Sequence, residues 1–544
     1  MEKETRAEYH QRLTSISRRD LLRISGAVGL AGLLPVLTPR AYAQGADAPQ
    51  RGGVLRIRQL GDPPSLDLLA NTTSRVPLSA GPCCNGLLRY DSTDPDKIVT
   101  DLADSFEMAE DGLSYTFHLH DGVKFHDGQP CTAEDVKFTF DTIRNPPEGV
   151  VSARRGVFEA VTNIQIVDPL TVRFDLSRPS PSLIANLASG WMLVQPKHLL
   201  EQGPITNTIM GTGPFRFKEW KRGVSLELER NPDYFKPEKP HLDGIMHYYV
   251  PDESTAYAYF RSGQIDLMLA YPARIKEWEA QLGETGKIVG NPYSTACFSV
   301  TMNTRNAPWN DIRVRKAVAL AINREEFVQS VLLGYAETTG WSMPGKWALP
   351  KERLEQIAGY APYQDAHADE ARALLAEAGF PDGLKDTMLV RRTDLFQPVA
   401  IFLQAQLKKV GIELALDFQE TASFYERIRS GTGWAINAGG ISYPLNDPDM
   451  MYGGNVTCDG AGNESGICDP EIDRLFQEQS QQIDEAARIA LVNDMETRVL
   501  ETYGVYPLAY YKQFKVVRNT VQNYVLHPSE DNGTRFEDVW IRPE

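Results

Sequence analysis

The sequence predicts an α/β protein whose second half carries a mostly parallel sheet with helices on its faces. Three observations predict it. From Thr387 to Asn437, strand-like and helix-like runs alternate, which is the signature of strand–helix–strand units. Upstream, Val314, Ala317, Val318, Ala321 and Ile322 recur at helical spacing behind Asp311, a good N-cap. The first half instead shows short alternating runs broken by Gly, Asp and Pro, the pattern of half-buried strands.

Taken in order, residues 51–60 (RGGVLRIRQL) read as a half-buried strand, broken by Gly61-Asp62-Pro63-Pro64. Ser114–Leu119 alternates, Asp121-Gly122 turns, and Val123-Lys124-Phe125 returns as its hairpin partner. Thr132-Ala133-Glu134-Asp135 is a capping box that opens a helix through Phe140. Val161–Ile166 and Leu170–Leu176 flank the turn Asp168-Pro169. In the second half, Asp369–Ala378 is a helix stopped by Gly379 and Pro381. Then come a strand at Thr387–Val390, a helix at Pro398–Lys409, a strand at Ile412–Phe418, a helix at Ser423–Arg429 and a strand at Trp434–Asn437.

The chain is long enough, at 544 residues and 42% apolar, for several domains or lobes. Its 42 Gly and 35 Pro fall well below a disordered or collagenous composition. The net charge of −16, with no long basic run, argues against nucleic acid or an anionic membrane as partner. Six Cys are too few for a disulfide scaffold.

Residues 1–43 read as an address. Ser17-Arg18-Arg19-Asp20-Leu21-Leu22-Arg23 resembles the twin-arginine export signal. The apolar run Ile24–Leu37 is interrupted by Gly26, Gly29, Gly32 and Pro35 and is shorter than the ~20 residues of a spanning helix. Ala41-Tyr42-Ala43 then offers a small-x-small cleavage site, so the mature chain is expected to begin near Gln44, outside the inner membrane, with no further span.

Six fragments then stand in the order of one family: GGVLRIRQLGDPPSLDL (52–68), LADSFEMAEDGLSYTFHLHDGVKFHDGQPCTAEDVKFTFD (102–141), GTGPFRFKEW (211–220) with RNPDYF (230–235), NDIRVRKAVALAINREEF (310–327), LLAEAGFPDG (374–383) and LKKVGIEL (407–414). Together they resemble the extracytoplasmic solute-binding proteins of ABC transporters, family 5, the peptide/nickel/oligosaccharide group. The resemblance implies the two-lobed periplasmic binding protein fold, type II, in its large three-subdomain variety. Residues 44–88, 211–292 and 512–544 would form the core of the first lobe, 89–210 an inserted subdomain, and 293–511 the second lobe, with a hinge near 292 and 511. It also implies a monomer that closes on a small solute and hands it to permease subunits, with no cofactor. A periplasmic sensor or chaperone on the same fold is the alternative, and a secreted hydrolase a more remote one.

His118, His120 and His126 invite a metal reading, but no Cys or carboxylate cluster joins them at ligand spacing, so no metal is expected. No G-x-S-x-G, H-E-x-x-H or G-x-x-x-x-G-K-[ST] motif is present, and no catalytic residue is assigned. By the resemblance, Cys458 and Cys468 form a disulfide in a Gly- and Asn-rich loop; Cys83, Cys84, Cys131 and Cys297 have no obvious partner.

Ligand contacts are expected among aromatic residues, which stack on sugars and peptides. Trp434, Ile441, Tyr443 and Pro444 lie on or after the last strand of the second lobe, where open α/β sheets bind ligands. Tyr293 lies near the hinge, and Trp341 lies in a loop that borders the site in the family. Arg392, next to Arg391, stands where dipeptide binders carry an Arg for the ligand carboxylate; surface arginines at a strand end are the alternative. Peptide-binding members also carry an Asp for the ligand amine shortly before an Asp-Pro-Asp segment. Here that position falls on Tyr443 or Pro444, ahead of Asp447-Pro448-Asp449. The expectation is therefore a ligand without a free α-amine, unless Asp447 or Asp449 takes the role.

Overall fold

The computed structural model describes residues 48–150, 152–291 and 295–543. The signal segment, with Arg18 and Arg19, and Tyr293 lie outside the described residues. Three sheets organise the rest. A seven-stranded sheet runs in the order Gly286–Gly290, Phe514–Arg518, Leu267–Ala270, Val54–Gln59, Gly244–Tyr249, Ser225–Arg230, Phe215–Lys221. Neighbouring residues of its strands enter different cores: Leu267 and Val517 pack with Leu55 and Ile57, whereas Met268 and Val516 pack with Phe260 and Trp278. The sheet is thus buried on both faces, as the two-residue period of its side chains requires.

The strand Val54–Gln59 is central, paired in parallel with Gly244–Tyr249 and with Leu267. Its two arginines are tied to buried partners. Arg56 Nε is 2.8 Å from Oδ2 of the buried Asp266, and the buried Arg58 donates to the carbonyls of Val250 and Pro251 at 2.9 Å each.

A four-stranded antiparallel sheet follows, ordered Ala103–Met108, Ser114–Leu119, Thr171–Leu176, Val161–Asp168. Helix Ala133–Arg144 covers it, opened by a capping box in which the Thr132 hydroxyl accepts from Glu134 N and Thr132 N donates to the Asp135 carboxylate. The expected hairpin between Ser114–Leu119 and Val123–Phe125 does not form. Both edges of Ser114–Leu119 are taken by more distant strands, and Val123–Phe125 folds back on residues 129–131 instead.

The six-stranded sheet is ordered Ala336–Glu337, Val505–Tyr511, Ala296–Met302, Ile436–Ser442, Leu384–Arg391, Ile412–Gln419. The three strands read from the alternating segment, 384–391, 412–419 and 436–442, are mutually parallel, with helices Gln397–Lys408 and Thr421–Ser430 between them. The rest of the sheet is antiparallel, so the expectation of a mostly parallel sheet is corrected. Ala296–Met302 comes from upstream of that segment and pairs antiparallel with both neighbours, whereas Val505–Tyr511 follows helix Glu485–Glu501. Two boundaries also move. The strand expected at 434–437 runs from Ile436 to Ser442, and the helix expected from Asp369 begins at Asp365 behind a Gln364–His367 capping pair.

This sheet has its own large core. Immediately after its strand Ile436–Ser442, Leu445 leaves it and is buried in the core of the four-stranded sheet, with Met450 packed beside it. The two cores are thereby docked on one another. No helix among the described residues is long and apolar enough to cross a membrane.

Candidate functional site

Where the cores meet lies a partly open cavity of about 430 Å³. One wall is the C-terminal end of strand Ile436–Ser442, continuing into Tyr443 and Pro444. The opposite wall is Trp191 with Arg154, and Gln513 and Asp531 complete it from the chain's last segment.

Trp191 organises that second wall. Its indole N–H donates to Asp531 Oδ2 at 2.8 Å, and the Arg154 guanidinium lies 4.0 Å over its ring. Arg154 is held there by the carbonyls of Leu68, Leu69 and Asn71, all accepting from Nη2. Burial pulls the Arg154 pKa down to about 10. Asp531 is moved in the opposite sense. Burial raises its pKa against the pull of the Trp191 N–H, the Ser74 hydroxyl and the Arg154 charge. Glu530, next to it, is neutralised by Lys515 at 2.7 Å. Gly190 is required here by close approach: a Cβ on it would lie 1.8 Å from the Asp531 carbonyl oxygen.

A smaller cavity of about 210 Å³ lies on the other side of Leu445, lined by Trp347, Asn446, Asp447 and Arg488. A buried polar cluster joins the two cores at this point. Arg488 is 3.2 Å from Asp447 and 3.4 Å from Asp449. Ser182, at the start of helix Ser182–Leu187 in the other core, donates to Asp447 Oδ1 at 2.6 Å and accepts from Arg488 Nη2 at 2.8 Å. Burial, and then the neighbouring Asp447 charge, raise the Asp449 pKa.

The sequence-derived candidates separate in this geometry. Tyr443 and Pro444 line the large cavity. Trp341 stands behind that wall: it is 2% exposed, its N–H donates to the Met451 carbonyl, and its ring is 6.3 Å from that of Tyr443. Trp434 precedes the strand instead of following it, and is buried in a small cluster with Leu389, Phe424 and Ile428. Ile441 packs on the six-stranded core. Arg392 is a surface residue that bonds the Phe418 carbonyl and faces Glu420 at 3.5 Å, and Arg391 lies over Phe396. Asp447 accepts from Ser182 and pairs with Arg488, and Asp449 pairs with Arg488 and accepts from Gln479 and Ser480.

Cys458 and Cys468 are joined by a disulfide, with Cα atoms 4.4 Å apart, and the other four Cys are buried thiols. The three histidines of the metal reading have separate partners. His118 bonds Thr171, His120 faces Asp104, and His126 bonds the Gly213 carbonyl. Among the described residues no group of three or more His, Cys, Asp or Glu is arranged to hold a metal. Arg154, Trp191, Gln513 and Asp531 escaped the sequence reading because they lie in three segments that only the fold brings together.

Known proteins share this architecture. The structure of the Helicobacter pylori periplasmic binding protein DppA, solved with the peptide STSA, superposes with a TM-score of 0.74 at 25% identity, covering 91% of this chain and 99% of that one. Di/tripeptide-binding protein 4 of Pseudomonas aeruginosa is 30% identical over 491 residues, 82% of this chain and 87% of that protein. Glutathione-binding protein GsiB of Pectobacterium atrosepticum is 28% identical over 418 residues, 74% and 78% of the two chains. Residues 97–463, which include the four-stranded sheet, Trp191, Tyr443 and Asp447, match the middle region of one family model. A two-lobed α/β chain with a walled cavity between its cores, matched over that span, belongs to the bacterial extracellular solute-binding proteins, family 5.

Proposed function

We propose that this protein captures a small peptide-like or oligosaccharide-like solute in the 430 Å³ cavity and delivers it, enclosed, to the permease subunits of an ABC importer. The observation that carries the reading is that the cavity takes its walls from both cores, so a bound solute stabilises their docked arrangement over the open one. Its volume falls in the range of about 300–1,000 Å³ typical of small-molecule sites. The relatives named for di/tripeptides and glutathione favour a solute of peptide size. Tyr443 and Pro444 are the contacts we assign from the sequence-derived set.

The chemistry is recognition and closure, with no bond made or broken. We assign residues 44–88, 211–292 and 512–544 to the core of the first lobe, 89–210 to its inserted subdomain and 293–511 to the second lobe, a division that the seven-, four- and six-stranded sheets support. The protein acts as a periplasmic monomer exported by the twin-arginine route, and Arg18→Lys with Arg19→Lys would abolish its appearance in the periplasm. Mass spectrometry of solute co-purified with the protein, followed by calorimetry with peptide and oligosaccharide panels, tests the function. Protein that carries no solute, binds neither panel and does not contract on their addition would refute it.

A further inference from the structure

The two cavities are separated by a wall whose residues can be named on both sides. Tyr443, Pro444 and Leu445 line the 430 Å³ cavity, whereas the next two residues, Asn446 and Asp447, line the 210 Å³ one. Helix Ser182–Leu187 divides at the matching place: Ile184 and Ala185 face the small cavity and Asn186 the large one. Leu445 is the apolar side chain at this boundary. It is 3% exposed and buried in the core of the four-stranded sheet, which also takes Leu183 and Leu187 of that helix. Its backbone, however, continues the strand Ile436–Ser442 of the other core. Two residues on, Asp447 accepts from Ser182, at the start of the same helix, at 2.6 Å. The wall is thus assembled from both cores, and it exists only while they are docked.

A wall that forms on docking is sensitive to whatever lies in its place. Building on the solute-capture reading, we propose that Leu445 sets the length of solute the protein accepts. A solute that ends short of Leu445 lets this side chain enter its seat beside helix Ser182–Leu187, and the cores close. A solute that overruns it holds Leu445 out of that seat, and with it Asp447 away from Ser182. The space for such an overrun is the small cavity, about half the volume of the large one, and a seated Leu445 shuts the solute out of it. Length is therefore read through closure: removing a buried Leu from its packing is among the larger single losses a core can suffer, so an overlong solute favours the open arrangement.

The test is calorimetry and small-angle scattering on the mature full-length chain with two ladders of probes, alanine peptides and glucose oligomers, each lengthened one unit at a time. In the ladder that binds, affinity should drop at least about 30-fold at one step, the scale of keeping a buried Leu from its seat, and probes beyond that step should no longer contract the protein. Leu445→Ala opens the wall into the small cavity and should shrink that drop about tenfold, with contraction extending to longer probes. Leu445→Val should shrink it about threefold and serves as the milder variant should Leu445→Ala fold poorly. Leu445→Ala combined with Ile184→Phe, which refills the small cavity from a partly buried position, should restore the parental step. A parent that binds every length equally and contracts on each, or a step left unchanged in both Leu445 variants, overturns the length limit while leaving solute capture intact. Binding of neither ladder overturns it and counts against solute capture as well.

Discussion

Ser182→Ala should loosen the docking of the two cores without damaging either one. Ser182 makes two hydrogen bonds across the junction, donating to Asp447 Oδ1 at 2.6 Å and accepting from Arg488 Nη2 at 2.8 Å. Both involve a charged partner, and such bonds contribute about 1.5–3 kcal/mol apiece. The variant keeps the Arg488–Asp447 pair, whose side chains are only 5% and 4% exposed, so no charge is stranded. A net loss of about 3 kcal/mol, the low end for two bonds, shifts the closed-to-open ratio by roughly 150-fold. If the solute binds only the closed form, and that form is a minority in its absence, affinity falls by the same factor. Small-angle scattering should show a larger radius of gyration at a given solute concentration, and calorimetry a weaker Kd. Thermal unfolding of the separate cores should move little. Arg488→Met is the contrasting variant: it leaves Asp447 and Asp449 buried without a cation and should cost about 3–5 kcal/mol of stability outright. A Ser182→Ala protein with parental affinity and parental compactness would refute the idea that this cluster latches the cores.

Other consequences are equally direct. Under oxidising conditions peptide mapping should find Cys458 bonded to Cys468, and reduction should lower the unfolding midpoint; closing so short a loop contributes about 2–3 kcal/mol in the chain-entropy model. Burial lowers the His247 pKa to about 4, whereas the unfolded chain takes up that proton near pH 6.5. The contribution of His247 is therefore complete above about pH 6.5 and is lost as the pH falls toward 4. The loss is up to about 3 kcal/mol, seen as a urea-midpoint slope that flattens in His247→Asn. Gly190→Ala drives a Cβ into the Asp531 carbonyl and should cost about 1–3 kcal/mol in stability, together with solute affinity, measured by thermal shift and calorimetry.

What was legible in the sequence was local, or followed from a local rule. The Thr132 cap, the Asp311 cap and the parallel trio 384–391, 412–419 and 436–442 rest on signals within a few residues of each element. Tyr443 and Pro444, singled out because ligand sites gather at the carboxyl ends of parallel strands, line the large cavity. Trp434 was misplaced under the same rule: it stands at the amino end of the strand, which runs on from Ile436 to Ser442. The hairpin at Asp121-Gly122 failed because strand Ser114–Leu119 is already paired with Ala103–Met108 on one edge and with Thr171–Leu176, some fifty residues on, along the other; no local signal records the second choice. The acid wall of the cavity was out of reach for the same reason. Trp191 and Asp531 are hydrogen-bonded across 340 positions of sequence, and neither stands in a motif.

The strand Phe514–Arg518 lies between Leu267–Ala270 and Gly286–Gly290, although the ribosome makes it more than two hundred residues later. At about 5–20 residues per second that interval lasts roughly 10–45 s. Throughout it, two strand edges wait unpaired, open to the wrong partner. The same late segment carries Gln513 and Asp531. Neither the seven-stranded sheet nor the cavity can therefore be complete until that segment is made, and a protein cut short by its last thirty residues loses Asp531, and with it part of the cavity wall.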